Sequence, residues 1–186
     1  LLDRAKTNYS ADITKYYLQI PAEIAPKLRK YTQDLVVNSS QIQVGKSTEP
    51  LTNNYDRALF LAQYLKQHYH LPQDPLGLDR VPDGGDLASW FLFRCEGKST
   101  SCEAGGYADH FATTYTMMLR SIGIPARLAV GFDSGRFNPF TGFYEVSNTD
   151  AHALTEVYFP DYGWFAFDPI PGHPLTPPGV DEDQTF

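Results

Sequence analysis

The chain has 186 residues, 42% of them hydrophobic and 14% aromatic, enough to bury the core of one compact domain or of a domain with a helical extension. Its formal charge is −7 and its pI about 5.1, with Lys and Arg scattered along the chain, so the basic stripe that nucleic-acid binding requires is missing and that partner is excluded. No run approaches the ~18 apolar residues of a membrane span, and a start at Leu1, without initiator Met or signal peptide, reads as a piece of a longer protein.

After a polar start, Pro21 opens a helix-like segment from Ala22 to about Tyr31, and Val37 to Asn54, rich in Ser, Thr, Asn and Gln, reads as mixed strand and loop. From Tyr55 the positions Tyr55, Ala58, Leu59, Ala62, Leu65 and His68 recur at three and four, which predicts an amphipathic helix with a core-facing stripe. Pro72 to Gly85 carries repeated Pro and Gly and is a loop, and Asp86 to Phe93 is a short helix. The clearest helix begins at Tyr107-Ala108-Asp109. It keeps Phe111, Tyr115, Met118, Leu119 and Ile122 on one face until Gly123 and Pro125 end it. The period then changes. Ala126 to Phe132, Gly142 to Val146, Ala151 to Phe159 and Trp164 to Asp168 are β-branched or aromatic runs between turns, predicting an antiparallel sheet packed on that helix and an α+β fold.

Acyl transfer by a thiol or hydroxyl needs a nucleophile, a base and a group that fixes the base's tautomer. His152 and Asp168 suit the last two roles. Pro160 to Gly163 forms a turn, so antiparallel pairing brings His152 near the start of one strand to within a diagonal neighbour of Asp168 at the end of the next. Across a hairpin, such a pair also serves purely structural ends. A thiolate nucleophile gains from a helix N-terminus, where the dipole lowers its pKa, but the residue standing there is Ala108, which has nothing to deprotonate. His110, in the first turn, reads as a packed or capping residue. Cys95 and Cys102 enclose a polar loop that a disulfide would close, which favours an oxidising compartment, with two free thiols as the alternative. Cys102 is the remaining nucleophile candidate, six residues before Ala108, and would need the loop to fold back. Ser99 and Ser101 suit turn hydrogen bonding. His68 and His70 flank a helix end and read as solvated. The turn Asn138 to Gly142 carries aromatics that, with Phe137 and Tyr144, either line a cleft beside His152 or pack in a hairpin.

Three blocks together resemble the bacterial transglutaminase-like family. Gly106-Tyr107-Ala108-Asp109-His110-Phe111-Ala112, continued by Gly123-Ile124-Pro125-Ala126-Arg127, is similar to its Gly-Tyr-Cys-Glu-His-Phe-Ala block. Asp150-Ala151-His152-Ala153 is similar to its His block, and Gly163-Trp164 with Phe167-Asp168-Pro169 to its Asp block. The similarity runs from roughly Leu51 to Pro171. It implies a papain-like core with Cys on a helix and His and Asp on strands, His152 as base, Asp168 as orienter, and Ala108 in the nucleophile position with the Cys absent. It also divides the chain into an N-terminal helical and loop extension (1–50) packed on the core, a transglutaminase-like core (51–171) and a Pro-rich acidic linker (172–186).

Two functions follow from that resemblance. In one the domain is a pseudoenzyme, a binding or structural module of a larger membrane-anchored cell-envelope protein, with a peptide, protein or envelope polymer in its cleft. In the other it is an active Cys-His-Asp acyltransferase or peptidase acting on glutamine or amide bonds, represented here by a Cys-to-Ala variant. Neither calls for a cofactor or a metal. Both place the domain outside the cytoplasm, in the periplasm or on the cell surface, anchored through segments beyond these residues.

Overall fold

A computed structural model describes residues 2–39, 41–44, 47–74, 78, 80–97 and 104–175. Five helices precede the main sheet. They are α1 (Ala11–Tyr17), α2 (Ala25–Asn38), α3 (Asn54–His68), α4 (Leu87–Phe93) and α5 (Ala108–Ser121). A hairpin of β1 (Gln41–Val44) and β2 (Ser47–Pro50) lies between α2 and α3. Caps fix several starts. Asn53 accepts from the Asp56 N–H at 2.9 Å and Asp86 from the Ser89 N–H at 2.8 Å, each supplying a side-chain partner to an otherwise orphan helix donor.

The main sheet has three antiparallel strands in the order β3 (Ala126–Phe132), β6 (Ala151–Phe159) and β7 (Gly163–Phe167). Its register pairs Ala126 with Val157 and Thr155 with Phe167. Alternation along β6 buries Ala153, Thr155, Val157 and Phe159 against the helices, which leaves His152, Leu154 and Glu156 on the other face. The core joins this inner face to α5 (Phe111, Tyr115, Met118 and Leu119) and to α3 (Ala58, Leu61, Ala62 and Leu65). The Tyr115 hydroxyl, fully buried, donates to the Ala58 carbonyl at 2.8 Å and so ties the two helices together. Leu28 of α2 joins the same core, and the Arg29 side chain donates to the Ser121 carbonyl at the end of α5, at 3.1 Å.

Several sequence expectations change. The helix expected to end near Tyr31 continues to Asn38 and begins at Ala25, with Pro26 in its first turn where the missing N–H does no harm. The short helix α1, capped by Ser10, was not anticipated in the polar start. Phe143–Glu145 does not belong to the sheet on α5. It forms β5 of a separate hairpin with β4 (Arg136–Asn138). Of the two readings of its aromatics, hairpin packing holds: Phe137 and Tyr144 pair across the strands with ring centroids 5.3 Å apart, and neither lines the groove beside His152. Phe140 is 97% exposed, and Phe137, Phe143 and Tyr144 are exposed as well.

One polar contact at the sheet–helix seam is testable. Buried Thr155 donates to the Ala112 carbonyl at 2.9 Å and meets the Thr116 hydroxyl at 3.0 Å. Thr155→Val should destabilise the domain by about 1–3 kcal/mol, because it leaves the buried Thr116 hydroxyl without its partner; urea unfolding measures this, and an unchanged midpoint would remove the seam from the stability account.

Candidate functional site

The start of α5 is set by the backbone. Gly105 bridges to His70, whose N–H donates to the Ala104 carbonyl at 3.1 Å and whose carbonyl accepts from the Gly106 N–H at 3.0 Å. A Cβ on Gly105 would fall 1.9 Å from the His70 carbonyl oxygen, and one on Gly106 would fall 2.5 Å from His110 Nδ1, so only glycine allows this approach. Arg94 adds a donor to the Gly105 carbonyl at 2.7 Å. Ala108 is the first residue of α5 and packs partly buried against the core. Its position in the helix is the one a dipole-activated nucleophile would use, and its side chain is a methyl group.

His110 acts as a cap, as its place in the first turn implied. Its Nδ1 accepts from the Tyr107 N–H at 3.4 Å, and its ring meets Trp90 edge-on. Burial lowers its pKa from the ordinary 6.5, the Asp109 carboxylate pulls it back up, and the Arg94 charge lowers it further. His68 stacks on Tyr64 at the end of α3. Cys95 is disulfide-bonded, and Cys102 lies outside the described residues, as do Ser99 and Ser101.

The helix and the sheet bring the start of α5 and His152 to one end of the domain. Arg120 donates to the Ala126 carbonyl at 2.9 Å, which places the last turn of α5 beside the start of β3 and therefore beside Val157. From Arg120 back to Ala108 the helix rises ~18 Å, and from Val157 back to His152 the strand extends ~17 Å.

His152 Nε2 lies 3.1 Å from Asp168 Oδ2. Extending the register of β6 and β7 places Asp168 opposite Leu154, diagonal to His152 on the same face. Asp168 is 4% exposed, and a buried carboxylate must be hydrogen-bonded. Its Oδ1 accepts from the Ile170 N–H at 2.8 Å, and its own N–H donates to the Leu175 carbonyl, also at 2.8 Å. A third residue joins the pair. His173 Nδ1 lies 2.9 Å from the same Oδ2, and its ring stacks on His152 with centroids 5.1 Å apart and planes at 14°. The loop bearing His173 is pinned by Lys66 of α3, whose ammonium donates to the carbonyls of Ile170 and His173 at 2.7 and 2.6 Å. Burial lowers the Lys66 pKa, and the Asp168 charge raises it in part. Sequence reading missed both His173 and Lys66. The one available signal was the Asp-Pro-Ile-Pro-Gly-His run, whose prolines and Gly172 turn the chain back toward Asp168.

A groove of about 630 Å³ opens over this cluster. Asp133, His152, Leu154, Glu156, Asp168 and His173 contribute to its walls, and Ala108 does not.

A central helix whose first turn shares one end of the domain with a strand-borne histidine and a strand-end aspartate defines the papain-like thiol-enzyme class. Within that class, the transglutaminase-like superfamily matches residues 42–169, and the chain belongs to it. The protein YebA of Bacillus subtilis (strain 168) is 45% identical over 160 residues, 84% of this chain and 19% of that protein. A protein-glutamine gamma-glutamyltransferase of Pseudomonas aeruginosa is 32% identical over 127 residues, 61% of this chain and 18% of that protein. The chain thus spans about a fifth of the length of these relatives. Among solved structures, the periplasmic domain of TgpA from Pseudomonas aeruginosa superposes with a TM-score of 0.64 at 23% identity, covering 88% of this chain and 48% of that one. None of the described helices is long and apolar enough to cross a membrane.

The shift on His110 sets a pH dependence. A histidine whose folded pKa lies below 6.5 takes up its proton more readily in the unfolded chain, so its contribution is complete above that value and is lost as pH falls through it. His110→Gln keeps an acceptor at the capping position without a titrating group. Thermal melts between about pH 7.5 and 5 should therefore show a smaller loss of Tm for the variant than for the parent; equal slopes would remove His110 from the acid sensitivity.

Proposed function

We propose that this chain is a transglutaminase-like domain without acyl-transfer activity, serving as a binding or structural module of a larger membrane-anchored protein of the cell envelope. One observation carries the reading. Ala108 occupies the first position of α5 while His152 and Asp168 stand paired at 3.1 Å. Covalent acyl transfer requires an atom that attacks the amide carbon, and a methyl group has no lone pair to offer. The pair therefore has no proton to take from position 108, and what the site retains is a groove whose mostly apolar walls, Val130, Phe132 and Leu154 among them, surround the His152–Asp168–His173 cluster, suited to a peptide, protein or envelope polymer.

A location outside the cytoplasm is supported by the disulfide at Cys95, which belongs to oxidising compartments, and by the periplasmic domain of TgpA, which shares the fold. Were the natural residue at position 108 a cysteine, the same arrangement would support a thiol acyltransferase or peptidase. In that chemistry the thiolate attacks a carboxamide, His152 protonates the departing ammonia or amine, and an amine or water resolves the thioester.

The test compares the parent chain, Ala108→Cys, and Ala108→Cys combined with His152→Ala. The parent should incorporate no fluorescent primary amine into a glutamine-bearing acceptor protein. Ala108→Cys should gain a thiol that iodoacetamide alkylates at least about tenfold faster than in the double variant, with the label mapped to position 108 by mass spectrometry. Turnover by the parent that disappears in His152→Ala would overturn the inactive reading.

A further inference from the structure

Asp168 holds more nitrogen donors than a base–orienter pair requires. His152 Nε2 and His173 Nδ1 both point at Oδ2, at 3.1 and 2.9 Å, and one ligand atom from each of the three residues lies within 4.8 Å of the other two. We propose that His152, Asp168 and His173 form a binding site for a divalent transition-metal ion of the zinc(II) class, with at least one coordination position open to the groove.

The donor set is the first argument. Two imidazoles and one carboxylate suit zinc and its first-row neighbours, and three protein ligands with a free position are the pattern of an accessible site. The spacing is the second. Zinc–nitrogen and zinc–oxygen bonds of ~2.1 Å at tetrahedral angles separate ligand atoms by about 3.4 Å. The two nitrogen-to-oxygen distances already lie within about half an ångström of that value, and the two histidine nitrogens, within 4.8 Å of each other, close by at most about 1.4 Å to reach it.

Preorganisation is the third argument. The Ile170 N–H occupies Asp168 Oδ1 and so leaves Oδ2 to the histidines. Lys66 fixes the backbone carbonyls of Ile170 and His173, and Gly172, at φ +84°, makes the turn between them. The second ring nitrogen of His152, Nδ1, lies 3.9 Å from the exposed Asp133 Oδ2, a charge neighbour beyond hydrogen-bond distance.

Protons balance without a further reactant. Each neutral imidazole keeps one proton and presents its other nitrogen. The His152 proton moves from Nε2 to Nδ1, facing Asp133, and the His173 proton moves from Nδ1 to Nε2. The carboxylate oxygen that accepted two N–H groups then binds the cation, and the ion sheds water for these ligands.

The site goes beyond the proposed function and does not depend on residue 108. Isothermal titration of the metal-stripped chain with zinc chloride should give one ion per chain, with a Kd at or below about 1 μM. His173→Ala and His152→Ala should each weaken binding at least about tenfold. Cobalt(II) should give the intense visible bands of a four-coordinate ion in the parent and lose them in His173→Ala. The His173 side chain is 40% exposed, so its removal should leave the far-UV circular dichroism unchanged; if it does not, His173→Gln replaces it. Absence of stoichiometric zinc binding by the parent overturns the proposal. So does binding that survives unweakened in folded His173 and His152 variants, which would move the ion to other histidines. Because the readout involves no turnover, neither result bears on whether the domain catalyses acyl transfer.

Discussion

The architecture of the site depends on satisfying one buried charge. Asp168 is withdrawn from water at the end of β7, and a carboxylate so placed must find donors or destabilise the fold by several kcal/mol. Its donors come from three places: the turn that follows it, through the Ile170 N–H; the start of strand β6, through His152; and the returning loop, through His173. Each requirement fixes geometry elsewhere. The diagonal reach to His152 depends on the register of β6 with β7, and His173 depends on a loop held to α3 by Lys66. Strand pairing, loop course and helix position thus converge on a single oxygen atom.

The same dependence separates fold from chemistry. Membership of the transglutaminase-like superfamily rests on a match covering residues 42–169, whereas activity rests on which atom stands at the start of α5. A fold can outlast the reaction once performed on it. The His152–Asp168 contact has a structural reason to persist without a nucleophile, because it helps to satisfy a carboxylate that would otherwise be buried with fewer partners.

Legibility in the sequence followed the strength of local periodicity. The apolar stripe from Phe111 to Leu119 and the alternation from Ala151 to Phe159 carry many repeats of their period, and both elements stand where the pattern puts them. The diagonal relation of His152 to Asp168 was equally readable, since a short turn between two strands fixes register. The end of α2 was not, because Leu35, Val36 and Val37 carry a β-rich composition that tertiary packing of the helix overrides. Aromatic residues in the β4–β5 hairpin left cleft lining and hairpin packing both open; among the described residues the two short strands pair with each other, Phe137 meets Tyr144 across them, and Phe140 stands in solvent. His173 was illegible for a different reason. It lies in a loop, where neither period applies, and only three-dimensional closure of the Pro-Gly turn sets it beside a residue it follows by five positions.

The glycine clamp at residues 105 and 106 has an evolutionary reading. The start of α5 is located by backbone bonds to His70, by the guanidinium of Arg94 and by the His110 cap, all anchored outside position 108. The side chain at 108 contributes only the small partly buried volume of a methyl group, a space in which a thiol differs from it by a single atom. Selection for folding is therefore nearly blind to this position. A lineage can lose or regain its nucleophile by substitution of this one residue while every other part of the domain stays under the same structural constraint, so the reactive state of such a domain can drift on a timescale unrelated to that of its fold.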